Sequence, residues 1–380
     1  MFGLESIPYY LALGYLVFFI LLSLASKYIR YSDRQLIIVL ALFTISLSVI
    51  AFYWDPRETD LTRNFRYMDL ARRSNESVWQ YVFNSHVREL GYNGLITYNL
   101  FRYIIIRIST NNHLLPGVAT FIDYSIFSYI HYDWNTGQGI YKIPSFLTLT
   151  TSLTFLPFLY VNSGIRNALA MSVMALGIYL YLQKNCKLVK FIIICFLAVT
   201  IHPVTIIAIP FAFMARLKWG WKGLVGIFAV SFSVQLLMRI FLNSSIEILR
   251  RLAEYYRFYT SADQYTAAAY YWWGDLLLII LFIVVYLLAI KSRESGYGEL
   301  IGYWELMYSF FVLGYVVNYD LFLRPLYIMG ILAPTMTSYF DSNTFVERHR
   351  LIRNLLTVIC ILIGVYVSAR SLRFYYLWQN

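Results

Sequence analysis

What most constrains this chain is the recurrence, along nearly all of its length, of apolar blocks about 15 to 25 residues long, such as Tyr9–Ala25, Leu36–Trp54 and Leu355–Ala369. As helices, most of these blocks would cross a hydrocarbon core of roughly 30 Å. Of the 380 residues, 59% are hydrophobic and 13% charged, whereas a soluble domain carries about 25% charged residues. A water-soluble enzyme is therefore excluded as a fold class. A membrane barrel would show alternating segments of about ten residues, and the sequence has none. The pattern predicts an all-α protein, a polytopic integral membrane helical bundle. Blocks near 9–26, 36–54, 93–109, 114–131, 144–161, 165–183, 189–214, 222–242, 274–291, 303–318, 322–339 and 354–372 give about 10–12 transmembrane or re-entrant segments. They form one membrane domain over residues 1–380, with two long outer loops at about 55–92 and 243–273.

The net charge of +11 lies scattered in short loops between apolar blocks. That is an orientation signal, and it points to no nucleic-acid partner. Five basic turns stand out: Lys27/Arg30/Arg34, Lys184/Lys187/Lys190, Arg216/Lys218/Lys222, Lys291/Arg293 and Arg348/Arg350/Arg353. Placing them in the cytoplasm puts both long loops outside, and leaves every lysine inside and only arginine outside. Outer arginines suit forked hydrogen bonding to phosphate or carboxylate. Two segments do not fit a simple crossing. Lys190–Met214 has basic turns at both ends and is interrupted at Ile201-His202-Pro203, where proline breaks the helix, so two half-helices should meet near His202. Tyr92–Ile108, which carries Arg102 and Arg107, reads as an interfacial or re-entrant helix.

The motifs of soluble enzymes are missing: no dinucleotide or P-loop glycine pattern, no H-E-x-x-H, no nucleophile elbow. The sequence suggests no cofactor and no metal. What remains is a polar set beside apolar segments. In the first long loop, Asp60 is followed by Arg63, Arg66 and Tyr67; the two arginines, three apart, would share a helix face and could hold one polyanion. Glu89 begins the irregular segment. Arg166 sits in Asn162-Ser-Gly-Ile-Arg166-Asn167, in the first turn of a helix, where the dipole disfavours a cation. An anionic ligand would remove that conflict. His202, at a helix break inside an apolar run, is a functional candidate by default. Arg324, Arg250, Arg251 and Tyr255 complete the set; Arg250 and Arg251 could equally bind anionic membrane lipid.

At these residues the chain resembles the EpsG family, the Wzy-type polymerases of bacterial polysaccharides. Ser163-Gly164-Ile165-Arg166-Asn167-Ala168-Leu169-Ala170 is similar to that family's S-x-G-I-R-Q-A-L-A block. Thr200-Ile201-His202-Pro203 is similar to its F-H-x-S-A turn, and Glu89-Leu-Gly91-Tyr92 to its E-P-G-F/Y block. Asp60 and Tyr67 are loosely similar to its D-Y-x-x-Y, although leucine follows Asp60. The match covers roughly residues 36–215.

The resemblance implies a polymerase of oligosaccharide repeat units carried on undecaprenyl diphosphate. It would work in the bacterial plasma membrane with its site facing the periplasm or exterior, beside a flippase and a chain-length regulator of the same pathway. An acceptor hydroxyl would attack C1 of the donor sugar and expel the lipid diphosphate. Arg166, with Arg63, Arg66 or Arg324, would offset the charge on the leaving phosphate. His202, Asp60 or Glu89 would be the base, His202 being preferred because its ordinary pKa lies nearest neutrality. The alternatives are a lipid-linked oligosaccharide flippase, which would favour a polar central path, and a metal-dependent transferase using polyprenyl-phosphate sugars.

Overall fold

The computed structural model describes residues 29–53, 60–83, 94–156, 158–218, 221–245, 249–250, 253–254, 257, 298–315, 327–337 and 358. Among these residues the regular structure is all helical. The helices are α1 (Asp33–Tyr53), α2 (Asp60–Ser74), α3 (Val78–Phe83), α4 (Ile96–Ile108), α5 (Leu114–Thr136), α6 (Phe146–Phe155), α7 (Phe158–Ser163), α8 (Ile165–Leu182), α9 (Leu188–Ile201), α10 (Ala208–Arg216), α11 (Trp221–Leu242), α12 (Gly298–Tyr315) and α13 (Tyr327–Thr337). The expected segments 9–26 and 274–291, and all of 354–372 except residue 358, lie outside the described residues. The chain groups into two compact units: α1 to α9 with α13, and α10 to α12.

Local chemistry sets the helix limits. Ser32 and Gln35 form a reciprocal capping box at the start of α1, as Ser77 and Gln80 do for α3, so that each box satisfies orphan N–H groups. Ser145 caps α6 by accepting from Thr148 N–H. The block 144–161 is not one segment. It divides after Leu156, which precedes Pro157 in the sequence and leaves the helical region (φ −129°, ψ 76°); proline disfavours the helical region for the residue before it. The block 189–214 divides where Pro203 demands. His202 ends α9 in an extended conformation, Pro203–Ile207 forms a short 3₁₀ turn, and α10 follows. Residues 60–83 of the first long loop are largely helical, because Leu61, Tyr67, Met68 and Ala71 give α2 an apolar face to bury.

Two of the described helices, Asp33–Tyr53 and Ile165–Leu182, are long and apolar enough to cross a membrane. At 13 residues, α4 reaches only ~20 Å, short of a bilayer core. Part of its pattern is inverted relative to a helix in water. Asn99 and Arg102 are buried, whereas Leu100, Ile104 and Ile108 are exposed. The same outward apolar stripe runs along α9 through Val189, Ile192, Ile193 and Phe196, and along α1 through Ile38, Leu42, Ile45 and Val49. Surfaces of this kind match hydrocarbon as the surrounding solvent.

In the first unit α5 packs on α1 and α13, and α13 also packs on α6. Thr148 and Thr337 join α6 to α13 through their hydroxyls at 2.6 Å. The approach of α13 is close enough to require glycine. A Cβ at Gly330 would lie 2.9 Å from Leu156 Cβ and 3.0 Å from both the Leu156 nitrogen and the Ser152 oxygen. In the second unit α12 packs on α10 and α11, and Arg216 pairs with Glu299 at 2.7 Å. Because two of the atoms facing Gly330 are backbone, Gly330→Ala should destabilise the first unit by about 1–3 kcal/mol. Thermal unfolding in detergent, or the yield of folded protein, would register the loss.

Candidate anion site

The site is built where the first turns of two helices meet. Asp60 opens α2 and Arg166 lies in the first turn of α8. Arg166 Nη2 is 3.7 Å from Asp60 Oδ2, and Arg63 Nη1 is 3.7 Å from Asp60 Oδ1. One carboxylate thus stands between two guanidiniums. Each helix start also presents the positive end of its dipole, so Asp60 meets positive charge from two arginines and two helix starts. Both contacts are longer than the roughly 2.7–2.9 Å of a strong charge-assisted hydrogen bond. Side-chain exposure separates the three: 17% for Arg166, 40% for Asp60 and 50% for Arg63. The turn behind Arg166 is fixed, since Thr120 Oγ1 donates to the buried Asn162 Oδ1 at 2.9 Å.

Beneath this pair lies a buried cation. Arg102 of α4 has no exposed surface, and its guanidinium carbon is 5.4–5.6 Å from the ring centres of Tyr67, Tyr81 and Tyr98. Its Nη1 donates to Asn64 Oδ1 at 3.0 Å, and Tyr98 Oη donates to the same oxygen at 2.8 Å. Asn64 Nδ2 in turn donates to the Asp60 carbonyl at 2.8 Å. Arg102 therefore reaches the first turn of α2 through one amide. At the other end of α2, Arg72 donates to Asp69, Asn112 and the Ser109 carbonyl, which ties the helix to the α4–α5 turn.

His202 follows a residue that packs into the same apolar cluster as the helix starts. Its neighbour Ile201 and Arg166's neighbour Ile165 belong to one buried cluster, together with Leu61 and Tyr67 of α2. Thr97 and Thr200 join the start of α4 to the end of α9 at 2.7 Å. The imidazole Nδ1 accepts from Val204 N–H at 3.3 Å. A neutral ring that accepts at Nδ1 carries its hydrogen on Nε2, which makes Nε2 a donor.

The structure brings Asp60, Arg63 and Arg166 together. Arg66 is exposed on the same helix. Tyr67 is 5% exposed and packs beside Arg102, away from solvent. Arg250, in the second unit, pairs with Glu254 at 3.7 Å. Glu89, Arg251, Tyr255 and Arg324 lie outside the described residues. The EpsG family matches residues 36–379, nearly the whole chain. The chain belongs to the EpsG family. No curated protein and no solved structure matches it. Together with the outward apolar stripes, the family places this EpsG chain among membrane proteins.

Sequence reasoning missed Arg102 and Asn64 as parts of this EpsG site. For Arg102 the signal was its place beside Asn99 on the face of α4 opposite Leu100, Ile104 and Ile108. A second missed feature is Asp123 of α5, fully buried with the Ser172 hydroxyl beside its carboxylate. Because Asn64 accepts from both Tyr98 and Arg102, Asn64→Leu leaves two buried donors unsatisfied, at about 1–3 kcal/mol each. It should lower the unfolding temperature and loosen the first turn of α2, visible as faster amide exchange around residues 60–64. Unchanged exchange would show that the amide does not hold that turn.

Proposed function

We propose that this EpsG-family chain is a polysaccharide polymerase. It joins oligosaccharide repeat units carried on undecaprenyl diphosphate into O-antigen, capsule or exopolysaccharide, by glycosyl transfer at the outer face of the bacterial plasma membrane. The observation that carries this reading is the Arg63–Asp60–Arg166 arrangement at two helix starts, a focus of positive charge suited to a diphosphate. Family membership supports a polymerase-type activity, and the lipid-facing stripes suit a donor whose polyprenyl tail stays in the bilayer.

In the reaction the acceptor hydroxyl oxygen bonds to C1 of the donor sugar. The bond from C1 to the phosphate oxygen breaks, and its electron pair leaves with the diphosphate. Arg166 and Arg63 offset that growing charge, so neither nucleotide hydrolysis nor a redox step is required. Arg166 is the anchor because its first-turn position and low exposure hold the guanidinium still. His202 contributes as a donor. With its hydrogen on Nε2, the ring can bond a phosphate or sugar oxygen, and the task of base passes to a carboxylate.

Two substitutions test the assignment in an assay with purified lipid-linked repeat units. Arg166→Lys keeps the charge and loses the planar fork, and should slow polymerisation by about 10²–10³-fold at normal protein level. Wild-type chain lengths would remove Arg166 from the site. His202→Gln keeps an N–H donor and should retain activity within roughly tenfold, whereas His202→Leu should lose about 10²-fold or more. Equal losses in the two variants, with an acid limb in the wild-type pH profile that vanishes in both, would make His202 the base instead.

A further inference from the structure

We infer that Asp60 is an exchangeable counter-ion. The donor diphosphate takes its place between Arg63 and Arg166, and the displaced carboxylate then receives the proton of the acceptor hydroxyl. This rests on the diphosphate reading above and adds an order to it: the base is released only when a donor is bound.

Four observations lead here. Arg166 occupies a helix first turn, where a cation needs an anion beside it, and Asp60 supplies one from another helix. Both contacts of the carboxylate are 3.7 Å long, a distance that forked hydrogen bonds to phosphate oxygens would shorten. Asp60 is more than twice as exposed as Arg166, at 40% against 17%, so an incoming anion reaches the carboxylate side of the pair while the arginine stays seated. Finally, the main chain of Asp60 does not depend on its carboxylate: Asn64 holds the Asp60 carbonyl at 2.8 Å, and Asn64 is itself held by Arg102 and Tyr98. The side chain can therefore rotate away while the turn stays in place.

A diphosphate outcompetes a single carboxylate because it brings more charge and more acceptor oxygens to the same two guanidiniums. While Asp60 bridges the arginines, its oxygens face cations and not a sugar hydroxyl. Once released, one oxygen can take the acceptor's proton. The acceptor O–H bond breaks as the new C1–O bond forms, the carboxylate becomes a carboxylic acid, and the electron pair of the old C1–O bond departs on the diphosphate. Atoms and charge balance without any further reactant.

Inorganic pyrophosphate is the probe, titrated calorimetrically into the purified full-length protein in lipid nanodiscs and metal-free buffer. Asp60→Asn removes the competing anion, so it should bind pyrophosphate roughly five- to tenfold tighter than wild type. In the polymerisation assay the same variant should turn over about 10²–10⁴-fold more slowly. A residue that merely braces the fold would weaken both properties. Asp60→Ser carries the same two expectations, which guards against a folding defect peculiar to one variant, and Arg166→Gln should abolish binding in either background. Arg166-dependent binding with no gain in affinity for Asp60→Asn and Asp60→Ser would overturn the exchange and leave the diphosphate reading standing. Normal turnover in those variants would overturn it equally. Absence of pyrophosphate binding in every form would overturn the diphosphate reading itself.

Discussion

An arginine in the first turn of a long apolar helix is opposed by the helix dipole and by the loss of hydration around a largely covered guanidinium. Arg166 occupies that position in α8, and the chain answers with a carboxylate from the first turn of α2. The other features of the site follow from that contact. It brings two helix starts to one point, it recruits Arg63 to the same carboxylate, and it sets Asp60 among two guanidiniums and the positive ends of two helix dipoles. A site of this kind has a preference built into its electrostatics: a more highly charged anion gains more there than the carboxylate does.

Keeping α2 in register is the work of a second cation. Arg102 is enclosed by Tyr67, Tyr81 and Tyr98, and it acts on Asp60 through the Asn64 amide. A buried arginine is costly unless its donors are engaged and its charge is met by polarisable faces; here three rings face the charge, and the amide oxygens of Asn64 and Asn99 accept from Nη1 and Nη2. In a chain so rich in tyrosine, part of that aromatic content thus serves the interior, beyond any role at a membrane interface. Arg72, at the far end of α2, repeats the device with Asp69, Asn112 and the Ser109 carbonyl. The helix is pinned at both ends by guanidiniums that bind backbone and amide oxygens.

Much of the helix framework was legible because it depends on local signals. The apolar blocks mark α1, α4, α5, α8 and α9, and Pro203 marks the break at His202. The need of Arg166 for an anion followed from its place in a first turn. The identity of that anion did not, since nothing in spacing or periodicity pairs Asp60 with a residue so distant in the chain. The division after Leu156 went unread because Pro157 sits inside an otherwise continuous apolar block. Arg102 was seen as an obstacle to crossing the membrane; its enclosure became visible only once Leu100, Ile104 and Ile108 were known to face outward, which turns the polar stripe of α4 inward. The tautomer of His202 was likewise beyond the sequence, because it depends on the Val204 N–H that the 3₁₀ turn directs at Nδ1.

The first turns of α2 and α8 are proposed to form a diphosphate site together. The measurement that addresses it most directly is a cryo-electron microscopy structure of the full chain in a lipid nanodisc, determined with a non-hydrolysable lipid-diphosphate sugar. The account predicts phosphorus density between Arg63 and Arg166, with the Asp60 side chain rotated off Arg166 and the Asn64 contact to the Asp60 carbonyl intact. Diphosphate density elsewhere in the protein, with the Asp60–Arg166 pair undisturbed, would contradict it.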